Sequence, residues 1–443
     1  MKTRHLHFLV TALLLLVTCA RPSHAQSGCT ITTPTYIGED NRTYDSCDLV
    51  IEGTTVTMDG THQFNSVTIL NYGGLTHSAC TVDAVHKLEL EVTGTVTVDA
   101  SSTIDVSGKG YLAGRTKGNT TEGGAEGSAG GSYGGQAGCD ANGQCSNRAY
   151  GQYWEADEWG SGGGGPGGGT GGGLVRIRAG GMVLNGRVLA YGQNGGGDSG
   201  GGSGGGVDIR VTGAFEGAGH IQAFGGGGGS GSSGGRVVVV ARERSGHAGV
   251  LQAYGAWPAG SAGTVYVRKA GEEYGTLMVD NAGFGPVSGA VEFVNEGPEK
   301  LVIGDAVVVK GYGRMLTRGL VEYGHDVSLE LGGLWRVEGM GVGVSGSLTF
   351  SGRGEVEVVE SLAVASEVAM SGGVLRGGRI QAAGMTLANN AVATSFGATT
   401  TAVHKLELEV TGTVTVDASS TIDVSGKGYL AGRTKGNTTE GGA

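Results

Sequence analysis

Hydrophobic and polar side chains alternate with a period of two along much of the chain, and most regularly between residues 88 and 106. Leu88, Leu90, Val92, Val96, Val98, Ala100, Ile104 and Val106 share one parity, while Lys87, Glu89, Glu91, Thr95, Thr97, Asp99 and Asp105 share the other. Such alternation sends successive side chains to opposite faces of a strand. Val, Ile and Thr dominate the stretch, which disfavours a helix. Gly94 and Ser101-Ser102 interrupt it where turns would fall, so it predicts three short strands facing one core.

The same pattern recurs on either side. Leu49 and Ile51, Val56 and Met58, and Val67 and Ile69 sit two apart, punctuated by Gly53, Gly60 and Gly73-Gly74. Residues 26–83 are therefore expected to form an N-terminal cap and a first coil, covering strand edges that would otherwise stay unpaired. Later blocks share one design. Leu174-Val175-Arg176-Ile177-Arg178 leads to Ala190-Tyr191-Gly192, Val207-Asp208-Ile209-Arg210-Val211 to Ala223-Phe224-Gly225, and Val237 to Val240 to Ala253-Tyr254-Gly255. Between them run glycine-dominated segments at 160–173, 195–206 and 225–235. Each block reads as one coil carrying a glycine-rich loop on the same side. From about residue 271 glycine thins and short strands recur every six to ten residues, which predicts continued solenoid, with a separate β-sandwich as the alternative.

One stretch occurs twice. Residues 84–125 return unchanged as 402–443, an offset of 318 residues that marks an array of repeated units. The expected organisation is a signal peptide (1–25), a cap and first coil (26–83), a glycine-rich β-solenoid (84–270), its continuation (271–401) and the start of a second unit (402–443). The fold class predicted is all-β, a parallel β-helix (β-solenoid) with glycine-rich loop insertions.

Composition sharpens this picture. Glycine accounts for 93 of 443 residues, about three times the usual share of roughly 7%. There is no Gly-X-Y period and only six prolines, which excludes collagen. Lys2, Arg4, His5 and His7 precede an apolar run from Phe8 to Ala20, and Ser23-His24-Ala25 offers small residues for cleavage before Gln26. The run is shorter than the roughly 20 residues a bilayer requires. Leu16-Val17-Thr18-Cys19 resembles a lipobox, but Thr18 stands where Ala, Gly or Ser is usual, so plain secretion is expected. No later segment is apolar enough to cross a membrane. Without residues 1–25 the chain carries 27 basic and 41 acidic side chains, a formal charge of −14, which argues against nucleic acid or an anionic membrane as partner.

In an exported chain Cys29, Cys47, Cys80, Cys139 and Cys145 read as disulfide formers rather than metal ligands. Cys139 and Cys145 are candidates to close a small loop and Cys29 and Cys47 to staple the cap, with Cys47–Cys80 as an alternative. No zinc-type Cys/His spacing occurs, and no cofactor is implied.

The order Thr-Gly-Thr-Val-Thr-Val-Asp-Ala (93–100), Ile-Asp-Val-Ser-Gly-Lys-Gly-Tyr-Leu-Ala-Gly (104–114), a Tyr/Glu-rich link ending in Gly160-Ser161-Gly162, and the Ala-aromatic-Gly blocks resembles the glycine-rich repeat of large secreted or surface proteins of environmental bacteria and some protists. The resemblance covers roughly residues 45–255. It implies a parallel β-helix and an extracellular location, and it carries over no functional residues.

Tyr150, Tyr153, Trp154 and Trp159 beside Glu155, Asp157 and Glu158 form the densest aromatic and acidic cluster. Rings that stack on sugar faces and carboxylates that take hydroxyls make it a candidate glycan site; the plainer reading is that the rings cover one end of the glycine-rich layer. Polysaccharide-cutting enzymes need a paired acid and base, and no Asp-Asp pair occurs. Gly324-His325-Asp326 resembles a catalytic turn but lacks partner motifs. Thr95 and Thr97 invite an ice-binding reading, yet later blocks carry Arg, Asp or Glu in their place. Asn41, Asn119 and Asn437 are N-glycosylation sequons if the source is eukaryotic. The function expected is a secreted structural or adhesion-type repeat protein displaying glycine-rich loops to a polysaccharide, an extracellular matrix or another cell surface. The competing expectation is a β-helical polysaccharide-active enzyme, a lyase or a glycoside hydrolase.

Overall fold

The three short strands expected between residues 88 and 106 are two: Leu88–Val98, which runs unbroken through Gly94, and Thr103–Asp105. In the computed structural model, which describes residues 26–258, 260–285, 288–339 and 341–440, all regular secondary structure is strand. The expected signal peptide, its cleavage after Ala25 and Cys19 lie outside the described residues.

Parity decides burial. Leu88, Leu90, Val92, Val96, Val98, Ile104 and Val106 are buried, whereas Ala100 is exposed. Ala100 departs from its parity because the chain turns there, with the Ser102 N–H donating to Asp99 O at 3.1 Å. Strand Leu174–Leu184 lies parallel to Leu88–Val98 on one side and to Gly206–Glu216 on the other. Gly206–Glu216 pairs in turn with Arg236–Glu243, which pairs with Thr264–Lys269. Register stacks like on like: Leu90, Ile177, Ile209 and Val239 are paired in succession and all fully buried. The recurring aromatics stack too, with Tyr191 4.9 Å from Phe224 and Phe224 3.5 Å from Tyr254.

The expected parallel β-helix is corrected by the sheets themselves. The strands form one mixed sheet of 23 strands and one parallel sheet of seven, and no closed solenoid. The seven-stranded ladder stops at Leu251–Gln252. In the larger sheet the chain doubles back at Gly275, so that Thr264–Lys269 and Thr276–Asp280 pair antiparallel. A Cβ on Gly275 would lie 2.5 Å from Val267 O, so only glycine fits this reversal. Beyond it parallel pairing resumes with shorter steps: Val307 pairs Val327, and Val327 pairs Leu348. These strands belong to the same 23-stranded sheet, which removes the separate sandwich.

The glycine runs are not loop insertions either. They lie largely buried beside the sheet, outside any strand except for Gly206, which begins Gly206–Glu216. Their N–H groups follow a period of three. Gly200 and Ser203 donate to Gly164 and Ser161, Gly201 and Gly204 to Ser230 and Ser233, and Gly202 and Gly205 to Gln193 and Ala190, at 2.8–3.3 Å. A strand would alternate between two neighbours; turning through three is the symmetry of an extended polyproline-II chain. The runs thus form a packed bundle joined backbone to backbone. A Cβ on Gly201 or Gly202 would approach a neighbouring carbonyl oxygen to 1.9 or 2.0 Å. Sequence alone suggests loops whose glycines, at equivalent places, could pack backbone to backbone; the runs do pack in that way, using the absence of a side chain.

Candidate functional site

The aromatic and acidic segment crosses one end of this glycine bundle, and most of it faces inward. The Tyr150 hydroxyl donates to Trp159 O at 2.5 Å and lies 2.9 Å from Ser161 Oγ, while its ring packs 5.0 Å from Tyr133. Burial pushes the Tyr150 phenol well up. Trp159 turns its indole N–H to His86 O at 2.6 Å. Glu158 accepts from Tyr111 at 3.0 Å and faces Lys117 at 3.4 Å, and Glu155 faces Arg176 at 3.4 Å. Tyr153 is buried and donates to Asp305 Oδ2 at 2.5 Å. Asp305 also accepts the Tyr266 hydroxyl at 2.9 Å and the Gly275 N–H at 2.5 Å, so Tyr153 ties the segment to the chain reversal. Burial, then the Asp305 hydrogen bond, raises its phenol.

Two members of the cluster remain outward. Asp157 is exposed, and Trp154 is 42% exposed, edge-on to Tyr153 at a centroid distance of 4.8 Å. Trp154 stands on a cleft of about 420 Å³. Arg148, Gln152, Arg236 and Glu292 supply the polar lining, and Phe293, Leu301 and Ile303 the apolar side. Arg236 is almost fully buried and spends its guanidinium on the Tyr150, Tyr133 and Gly151 carbonyls and on Thr264 Oγ1, 5.3 Å over the Tyr133 ring. Burial lowers its pKa. Burial also raises Glu292 above the ordinary carboxyl value, against the pull of Arg148. Sequence reasoning finds the rings but misses Arg236, Glu292 and Asp305, which reach the site from strands or turns over 70 residues away. A charged residue at the buried start of the Arg236–Glu243 strand is the one signal that could have flagged Arg236.

The other candidates are placed as follows. Cys139 and Cys145 form a disulfide. Cys29 and Cys47 stand beside each other as thiols, and Cys47 also donates to Tyr44 O at 3.0 Å. Burial, with Cys29 alongside, pushes the Cys47 thiol up to about 12, and burial pushes Cys80 to about 11. Asn119 and Asn437 commit the amide nitrogen that a glycan would occupy, donating to Thr81 O at 3.0 Å and Thr399 O at 3.1 Å; Asn41 uses its amide oxygen on the Thr43 N–H. In Gly324-His325-Asp326, His325 Nδ1 meets Gly304 O and Asp326 accepts the Ser347 N–H, so both side chains serve the backbone. Among the described residues no group of three His, Cys, Asp or Glu side chains stands close enough to hold a metal ion. No helix among them is long and apolar enough to cross a membrane. No protein-family model matches the chain, and neither does any curated protein or solved structure.

Proposed function

We propose that the chain is a secreted structural, adhesion-type protein that holds a glycan in the cleft beside Trp154. The observation that carries this reading is the half-open indole of Trp154, edge-packed on a buried tyrosine at the mouth of a cleft with hydrogen-bonding walls. An aromatic face fixed in this way suits a pyranose ring, and Arg148, Gln152 and Glu292 suit its hydroxyls. The buried glycine bundle makes the body a stiff support rather than a set of displayed loops. Binding is favoured over cleavage because the cleft is lined by one carboxylate, Glu292, where glycoside hydrolysis uses two. Retention on immobilised polysaccharides tests the reading. Wild-type protein is expected to be retarded by at least one polysaccharide without releasing soluble sugars, and Trp154→Ala to weaken that about tenfold. Equal retention of Trp154→Ala overturns the site. Sugar release abolished by Glu292→Gln transfers the cleft to an enzyme.

A further inference from the structure

We propose that a groove across the outer face of the larger sheet, from Leu88–Val98 to Thr264–Lys269, is a binding site of its own. Its occupant is an acidic polysaccharide, a linear chain bearing carboxylates. The groove comes from a bend repeated strand by strand. Pairing slips just after Ala179 and just after Val211, as at a β-bulge. Glycine fills the bend: a Cβ on Gly94 would stand 2.7 Å from Asn65 O, on Gly180 2.5 Å from Thr93 O, and on Gly213 2.7 Å from Gly180 O. Backbone therefore stacks directly on backbone, and the strands leave a trough of about 670 Å³. Val92, Ala179, Val211 and Val240 form its floor, and the exposed Thr93 and Thr212 stand along one rim.

Along the other rim runs one row in register: Glu91, Arg178, Arg210, Val240 and Arg268. It is roughly 19 Å long at the usual strand spacing of about 4.8 Å. The row faces outward, because Ile177, Ile209 and Val239 beside it are fully buried. Three arginines in line are not a by-product of composition, since the chain beyond residue 25 carries a formal charge of −14. Among the described residues one carboxylate, Asp208, pairs with them. Its Oδ1 accepts from Arg178 Nη1 at 2.8 Å and Arg210 Nε at 2.9 Å, and its Oδ2 from Arg210 Nη2 at 3.1 Å. Arg210 Nη2 also donates to Trp154 O at 2.8 Å. Burial acts first on both guanidiniums. At Arg210 the hydrogen bonds to Asp208 outweigh it and raise the pKa; at Arg178 burial prevails over Asp208, and Arg176 and Arg210 lower the pKa further. Asp208 is thus spent on Arg210, which leaves charge at Arg178 for a ligand. Glu91 turns to Gln63 instead, accepting from Nε2 at 2.8 Å. Arg268 donates from Nη1 to Glu273 O at 3.3 Å, and its Nε is buried with no partner among the described residues. Charge selects an anion, and the length of the row selects a chain of them. Threonine hydroxyls on the far rim suit sugar hydroxyls. Nucleic acid fits less well, because Phe64, the ring in the lining, is 1% exposed and offers bases no face to stack on.

The test runs the full chain through native gels containing, in turn, polygalacturonate, alginate, neutral dextran, polyglutamate and oligothymidylate. Polygalacturonate or alginate should retard it, and less so as salt rises. Arg178→Gln with Arg268→Gln should weaken that by about tenfold or more; Arg210 stays in place to hold Asp208. Thr212→Trp, at an exposed position, fills the trough with its charges intact and should weaken retardation comparably, which separates a seated chain from diffuse attraction. No retardation by either acidic polysaccharide, equal retardation of wild type and either variant, or equal retardation by dextran overturns the proposal. Tighter binding of polyglutamate or oligothymidylate also overturns it, and assigns the groove to an acidic peptide or to single-stranded nucleic acid. None of these outcomes depends on the cleft beside Trp154.

Discussion

Residues 84–125 and 402–443 share one sequence and occupy two surroundings. What repeats is local. The Ser101 N–H and hydroxyl both donate to Asp99 Oδ1, and the Ser419 N–H and hydroxyl both donate to Asp417 Oδ1, all at 2.9 Å. Thr116 bridges Thr120 as Thr434 bridges Thr438. What differs is continuity and burial. Strand Leu88–Val98 is unbroken, whereas its counterpart divides into Glu407–Val410 and Val414–Val416. Val96 is fully buried and Val414 is 42% exposed; Tyr111 is 2% exposed and Tyr429 47%. Turn chemistry therefore belongs to the repeated sequence, while strand length and core membership come from whatever is stacked upon it.

The sharpest way to break this comparison is to put charge into both copies. Val96→Asp with Val98→Asp forces two carboxylates into a dry core at several kcal/mol each, enough to unfold the N-terminal core in urea. The same change at Val414 and Val416 should shift stability by about 0.5 kcal/mol or less, as exposed positions do. Equal effects would mean that the parity of residues 88–106 does not define the core. A smaller contrast lies in the glycine bundle. A Cβ on Gly110 would stand 2.2 Å from Gly172 O, while its counterpart Gly428 has nothing within 4 Å. Gly110→Ala is expected to cost about 3 kcal/mol or more through overpacking against rigid backbone. Gly428→Ala should be neutral or stabilising by roughly 0.5 kcal/mol, since it restricts only the unfolded chain. Matching urea midpoints for the two variants would show that the bundle yields to a methyl group.

These contrasts mark how far the sequence could be read. Strand positions and inward parity are legible because a period of two is a local property, and the copy at 402–443 shows that the turns are local too. Sheet organisation is not, because one antiparallel pairing at Gly275 depends on what Val265 and Met278 meet across the ladder. The glycine runs mislead for a related reason. Their order rests on contacts between segments such as Gly131 with Gly201 and Gly134 with Gly234, about 70 and 100 residues apart, to which composition is blind. At the candidate site the aromatic positions are legible and their directions are not: Tyr153 turns inward because Asp305, some 150 residues on, accepts its hydrogen bond. Trp154, next in sequence, has no such acceptor among the described residues and stays at the surface.

The mildest test separates the copies by pH. His77 is fully buried, with Nδ1 2.7 Å from Ser78 O and Nε2 3.2 Å from the Leu174 nitrogen. Leu174 donates to Nε2, so the ring must be neutral with its proton on Nδ1, and it thereby anchors the start of the strand that covers the first copy. Burial, aided by Lys109 and His86 and opposed by the Ser78 hydrogen bond and Asp59, brings its pKa down to about 4 from 6.5. A base depressed on folding binds more protons unfolded than folded between these two values. Its contribution is complete above about pH 6.5 and drains away as pH falls towards 4. Between pH 7.5 and pH 5 the loss is roughly 2 kcal/mol. At the same offset of 318 residues, just ahead of the second copy, stands Ser395, which does not titrate. His247, also depressed chiefly by burial, adds a slope of the same sign, so the discriminating quantity is the part that His77→Gln removes. The variant is expected to be less stable at neutral pH and flatter below it. An unchanged slope in His77→Gln would detach the covering strand from this histidine and leave the difference between the copies to apolar stacking alone.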